Sequence, residues 1–320
     1  MAIGDALGMP TNGEGDRSGL PPIKTFLPLT LPDGTVVEAG EFTDETEFAL
    51  SIIEVATTNR GRLDPDLIGP RLVRLAQGDA GHWQDAVTLT ALRRAAESLE
   101  FEVPLDEDGP VSVAVASRGL AVGLLAAVGP LDVAELRADS DLVARLTHGS
   151  PAQSNALAAV AFVTQLAARQ TVHPREWAGT TADMLGVGAM HDALRRVEAM
   201  FDDDHATRVS QFAGGTPEEQ VVAAILAVAA TETFEGAVLM AVNAGGPSDA
   251  IGAITGALAG AHRGSADIPQ WLIDGLGGRI YVSLAAPWFR RAARYRAGVV
   301  VDLPMDGGPP PPRPTLPPRR

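Results

Sequence analysis

Residues 233–264 read TFEGAVLMAVNAGGPSDAIGAITGALAGAHRG. Phe234, Val238 and Val242 share one helical face before the Gly245-Gly246 pair, and Ile251, Ile254 and Leu258 share one after it, so the stretch reads as helix, break, helix. Asn243, Gly245, Gly246, Ser248 and Asp249 occupy the break. Glycines there let backbone N–H groups approach a ligand, and Ser248 and Asp249 offer oxygen at the start of the next helix. That second helix is dense in small residues: Gly252, Ala253, Gly256, Ala257, Ala259, Gly260 and Ala261. Glycine is poor in a helix interior, so the pattern predicts that another helix or a ligand passes close by. Asp249, His262 and the Gly-Gly-Pro break argue against a membrane helix.

The rest of the chain supports a helical reading. Aromatics make up 5% of 320 residues and hydrophobic residues 46%, so the core is aliphatic, with Ala, Leu and Val in helical spacing. Periodicity predicts helices over 43–57, 65–75, 85–99, 113–128, 131–146, 151–168, 174–200 (interrupted at Gly186 and Gly188), 217–230, 268–276 and 280–294. Trp271, Tyr281, Trp288 and Phe289 are expected to pack as anchors of the last two. The opening IGDALGMPTNGEGDRSG, taken alone, is a solvated Gly-rich loop, and Asp202-Asp203-Asp204-His205 a solvated acidic connection. The expected organisation is one large all-α domain over 1–303. A Pro-rich tail follows over 304–320, extended and largely disordered, for which the sequence names no partner.

A formal charge of −15 argues against nucleic acid or an anionic membrane as a general partner. Without cysteine there is neither a disulfide framework nor thiolate chemistry. No segment approaches about 18 uninterrupted apolar residues, and no basic-then-apolar leader opens the chain. The expectation is a cytoplasmic protein.

Three sites have two readings each. Thr43, Asp44 and Glu45 are an N-cap with acids in the first helical turn, or oxygen ligands for a metal. Arg118, the one charge in 113–128, either snorkels from a partly buried face or is held by an acid in a pocket. His148, in Thr147-His148-Gly149-Ser150-Pro151, is either a helix C-terminal cation or a ligand contact.

Four segments together resemble the ADP-ribosylglycohydrolase family. Residues 4–10, GDALGMP, resemble its N-terminal signature, and 40–46, GEFTDET, its Thr-Asp-Asp-Thr metal motif. Residues 146–149, LTHG, resemble its mid-chain Thr-His segment, and the run from Ala241 to Ala261 its second metal motif. They fall in the family's order across nearly the whole core. The resemblance implies an all-α bundle with two magnesium or manganese ions, where water or hydroxide attacks the anomeric carbon of ADP-ribose. Octahedral magnesium needs about six hard oxygens, so the family's carboxylates are dense.

This chain keeps part of that set. Asn12 stands where an acid is expected, Glu45 replaces an Asp, and Pro247 and Ala250 replace an Asp and a Thr, leaving Asp249. The Gly-Asn-Gly that precedes the family's middle-helix arginine is replaced by Ser112-Val113-Ala114 ahead of Arg118. Met1 falls where the family's first helix is half complete, implying a short first helix or a misassigned start. The resemblance thus implies Asp44 and Glu45 as catalytic, and Thr43, Asp44, Glu45 and Asp249 as ligands of at most one weakly held Mg2+ or Mn2+. It places Arg118, His148, Asn243, Gly245, Gly246 and Ser248 against an ADP-ribose or an ADP-ribosylated protein. Two functions follow: metal-dependent hydrolysis of an ADP-ribosyl bond, or a member that binds ADP-ribose-like ligands or a partner without turnover.

Overall fold

A computed structural model describes residues 1–17, 19–78, 84–198, 200 and 204–299. The Pro-rich tail, Asp202 and Asp203 lie outside the described residues. The regular structure of the described chain is helical, apart from one short hairpin. Its strands β1 (Leu29–Thr30) and β2 (Val36–Val37) pair antiparallel, Leu29 with Val37 and Thr30 with Val36. The sequence reading missed this hairpin, although Asp33-Gly34 is a turn signal and Gly34 takes φ +87°.

The opening segment corrects the loop expectation. Ala2–Gly8 is a helix, α1, with all seven residues buried. Two glycines disfavour such a helix in isolation, and no side chain caps it. Tertiary contact overrides that. A Cβ on Gly4 would fall 1.9 Å from the Gly252 carbonyl oxygen, and one on Gly8 would fall 2.1 Å from that of Ser248. Gly252 and Gly256 of the small-residue stripe therefore face α1, and backbone meets backbone along the contact. Past α1, Asn12 to Gly15 run against the Gly245-Gly246 break. Gly246 N–H donates to Glu14 O (2.8 Å) and Gly13 N–H to Gly246 O (3.0 Å).

Helix α2 (Asp44–Thr58) buries Phe48, Ile52 and Val55 at i, i+4 and i+7. It is followed by α3 (Pro65–Ala76), α4 (Ala86–Ser98), α5 (Val113–Ser117) and α6 (Gly119–Ala126). The helix expected over 113–128 is thus divided at Arg118. Then come α7 (Val133–Arg145), α8 (Pro151–Arg169), α9 (Trp177–Leu185), α10 (Ala189–Glu198) and α11 (His205–Ala213), the last capped by the Asp204 side chain. The series closes with α12 (Pro217–Ala229), α13 (Phe234–Val242), α14 (Ser248–Arg263), α15 (Gln270–Gly275) and α16 (Arg279–Arg296).

The core runs through α8 and α12, where residues 156–167 and 221–228 are buried continuously. Local signals start both helices: Ser150 accepts from Gln153 N–H ahead of Pro151, and Thr216 forms a capping box with Glu219 ahead of Pro217. At the C-terminal end, Phe289 and Ala293 of α16 pack on Ala56 and Leu125. Of the other three expected anchors, Trp271 packs edge-on against buried Phe26, with ring centroids 6.2 Å apart, while Tyr281 and Trp288 are exposed. Helical spacing places an aromatic on a face; whether another element covers that face is decided elsewhere in the chain.

Candidate functional site: a buried carboxylate pocket

The middle of α1 and the N-termini of α2 and α14 bring four carboxylates together, Asp5, Asp44, Glu45 and Asp249, all buried. Asp5 is the structural anchor. Its Oδ1 accepts from Thr43 N–H (3.1 Å) and Thr43 Oγ1 (2.7 Å), its Oδ2 from Thr46 N–H (3.1 Å) and Thr46 Oγ1 (2.6 Å). A side chain from α1 thereby satisfies donors at the start of α2. Thr43 sits at the N-cap position but makes no side-chain cap bond; its hydroxyl is shared between Asp5 and Glu45. The capping reading holds for the position of Thr43 and for the acids Asp44 and Glu45 in the first turn, but not for its hydroxyl.

The charges repel one another. Burial, then the neighbouring Asp249 and Asp5, push the Asp44 carboxyl up to about 7, while Arg118 opposes them. Burial and the Asp44 and Asp5 charges hold Glu45 well above the usual range, and burial with Glu45 and Asp5 does the same for Asp249. Asp5 is also raised by burial, against its four hydrogen bonds.

Arg118 is the cation of this pocket. It is buried, its guanidinium 4.6 Å from the Phe48 ring centroid and donating to Thr147 Oγ1 at 2.9 Å. Burial lowers its pKa to about 10, and Asp44, Asp85 and Glu45 oppose that fall. It does not snorkel. His148 is buried with Nδ1 3.1 Å from Thr147 Oγ1, and burial followed by Arg118 pushes it down to about 4. A neutral imidazole is no helix-capping cation. Asp85, which caps α4 through Val87 N–H and Thr88 N–H, faces this pair. Burial would raise it, but the Thr88 bonds, His148 and Arg118 hold it below the usual carboxylate range.

Other expected contact residues have structural work. The Asn243 side chain clasps residue 23, accepting from Ile23 N–H (2.7 Å) and donating to Ile23 O (3.0 Å) and Leu239 O (2.8 Å). Ser248 donates to Gly8 O (2.8 Å) beside Thr11. Gly245 and Gly246 take φ +88° and +68°, and a Cβ on either would fall within 2.3 Å of the Gly15 or Ala213 carbonyl oxygen. The break is packed against protein, not opened toward a ligand. Sequence reasoning missed Asp5 and Thr46 as partners and Asp85 as a neighbour. The signal for Asp5 was available in an acid set among the apolar and small residues of IGDALG, which only burial would force to find donors.

Fitness for metal can be judged from the donors. Asp249 Oδ2 accepts from the Asn12 amide, and its Oδ1 from Ala250 N–H at 2.7 Å. Pro247 and Ala250 bring no side-chain oxygen, and both oxygens of Asp5 are taken up by the two threonines. Among the described residues, no three carboxylate or imidazole side chains converge on a point that could hold an ion. The arrangement does not fit a two-ion centre, and the expected set of Asp44, Glu45 and Asp249 does not close around one ion as it stands.

The family profile described as ADP-ribosylglycohydrolase matches residues 1–299. The chain belongs to that family. Its members act on ADP-ribosylated substrates and are generally metal-dependent. An uncharacterized protein of Archaeoglobus fulgidus is 29% identical over 307 residues, covering 88% of this chain and 90% of the relative. The uncharacterized protein YegU of Escherichia coli K12 is 26% identical over 301 residues, covering 82% and 85%. A solved structure described as an ADP-ribosylglycohydrolase-related protein complex superposes with a TM-score of 0.72 at 26% identity, covering 91% of this chain and 94% of that one. The all-α family fold read from the sequence stands. No helix among the described residues is long and apolar enough to cross a membrane.

Proposed function

We propose that this family member binds an ADP-ribose-like ligand, free or on a modified protein, at the carboxylate pocket without turning it over through the family's two-metal chemistry. The observation that carries this reading is the Asn12–Asp249 hydrogen bond, which puts an amide donor on the carboxylate left in the second metal motif. Pro247 and Ala250 beside it remove two further oxygens. The remaining chemistry suits a ribose diol: an ionised carboxylate accepts from hydroxyls, and a carboxyl held protonated, as burial favours for Asp44, also donates. Arg118, fixed by Phe48 and Thr147, supplies the counter-charge that keeps the cluster from repelling an anionic ligand.

A second reading, metal-dependent hydrolysis with one weakly held Mg2+ or Mn2+ on Thr43, Asp44, Glu45 and Asp249, is favoured by the excess of buried carboxylate over cation. It requires Asp249 to leave Asn12. Calorimetry with ADP-ribose, together with hydrolysis of ADP-ribosyl-arginine and ADP-ribosyl-serine peptides with and without manganese, tests both readings. Binding without turnover is the expected result. Manganese-dependent turnover abolished by Asp44→Ala would establish the second reading, and failure to bind ADP-ribose would remove both.

A further inference from the structure

Helix α16 presents an uncovered apolar stripe. Ile280, Leu284 and Trp288 are 71%, 63% and 59% exposed, and Tyr281 beside them 44%. At 100° per residue, positions 280, 284, 288 and 291 all lie within about 40° of Leu284 around the helix axis. A contiguous stripe of this kind marks an interaction surface. Its charges are arranged asymmetrically. At the C-terminal end, Arg291 lies over the Trp288 ring, 5.6 Å from its centroid, and Arg290 follows Phe289. At the N-terminal end, the Glu41 carboxylate covers Gly277, where a Cβ would fall 2.7 Å from its Oε1, and Gly277 N–H donates to Gly40 O at 2.8 Å.

We propose that the stripe is the seam of a homodimer in which α16 packs antiparallel against α16 of a second copy, about a two-fold axis at Leu284. That axis sets Leu284 against its own mate and Trp288 against Ile280 of the other copy. It also carries Arg291 toward the N-terminal end of the partner helix, just before which the Glu41 carboxylate lies over Gly277. One patch is therefore complementary to itself in apolar character and charge, as an isologous interface requires. A parallel pairing would set Arg291 against Arg291. An anionic lipid surface would attract the arginines but meet Glu41 and a chain of net charge −15.

Sedimentation equilibrium of the full chain across the micromolar range is the test. The expected result is a reversible dimer that Leu284→Glu and Trp288→Glu each convert to monomer, with unchanged far-UV circular dichroism because both side chains are exposed. Arg291→Glu and Glu41→Arg should each weaken the dimer about tenfold or more, and the double variant should regain most of it, since the exchange restores opposite charges. A monomer throughout the range overturns the proposal. So does a dimer insensitive to Leu284→Glu, or a charge exchange that fails to restore association. A monomer in which deletion of residues 300–320 opens Trp288 to acrylamide quenching would assign the stripe to that segment instead, and a monomer captured by anionic vesicles would assign it to a lipid surface.

Discussion

At one end of the carboxylate pocket, Asp5 takes four hydrogen bonds from Thr43 and Thr46, two of them from backbone N–H groups at the start of α2. At the other, Asp249 takes the amide of Asn12 and the backbone N–H of Ala250 at the start of α14. Both ends set an acid against a helix N-terminus, where exposed N–H groups and the dipole favour negative charge. They differ in what their oxygens are left free to do. The Asp5 end is a closed structural network, and its acid holds two helices together. At the Asp249 end, Pro247 and Ala250 bring no side-chain oxygen and the Asn12 amide is a neutral donor, so fewer hydrogen bonds tie that acid to the fold.

Breaking the intact end should have the largest effect. Asp5→Ala leaves three buried donors without an acceptor and the Thr43 hydroxyl with Glu45 alone, and should cost about 3–5 kcal/mol. Urea denaturation followed by circular dichroism would show it as a lower midpoint at unchanged slope. A loss under about 1 kcal/mol would mean that the two ends are equivalent after all. Rebuilding the eroded end sharpens the contrast. The triple variant Asn12→Glu, Pro247→Asp, Ala250→Thr should raise manganese affinity at least about tenfold by calorimetry, whether or not activity follows. Pro247 restrains φ and its predecessor, so the loop must also relax for turnover to appear. Equal affinity in wild type and variant would place the cause in the backbone and not in the lost oxygens.

The pH dependence separates the carboxylates from the Thr147-His148 side. The Asp44 carboxyl titrates at 3.8 when unfolded and about 7 when folded, so the folded state holds its proton more tightly. Its contribution to stability is complete below about pH 4 and is lost as the pH rises to about 7. His148 runs the opposite way, from 6.5 down to about 4, contributing fully above 6.5 and losing its contribution as the pH falls through that window. In chelator, Asp44→Asn should therefore gain on the wild type as pH rises from 4 to 7, and His148→Gln should gain on it as pH falls through the same range. Parallel stability curves for wild type and variants would contradict both assignments. The smallest effect is expected from Asn12→Ala, about 1–2 kcal/mol for a hydrogen bond to a charged acceptor, seen as a modest shift in thermal midpoint. A cost equal to that of Asp5→Ala would mean that Asn12 is structural.

The sequence by itself determined most of the helices and their starts, though not α1 or α11. Periodicity and caps are local, with each donor finding its acceptor within about four residues, and so Ser150-Pro151 and Thr216 with Glu219 were legible. It also determined the order of the family's motifs, and through them the family. Only the tertiary structure decided what the surviving residues do. Asp5 became a buried anchor because α1, a poor helix alone, lies against the glycines of α14. Asn12 met Asp249 across 237 residues of chain, and Asn243 was committed to Ile23 across 220. Arg118 entered a pocket, and Trp288 was left on the surface. Burial and partnership between distant residues depend on how helices pack, and side-chain spacing along one helix carries no information about what arrives to cover it.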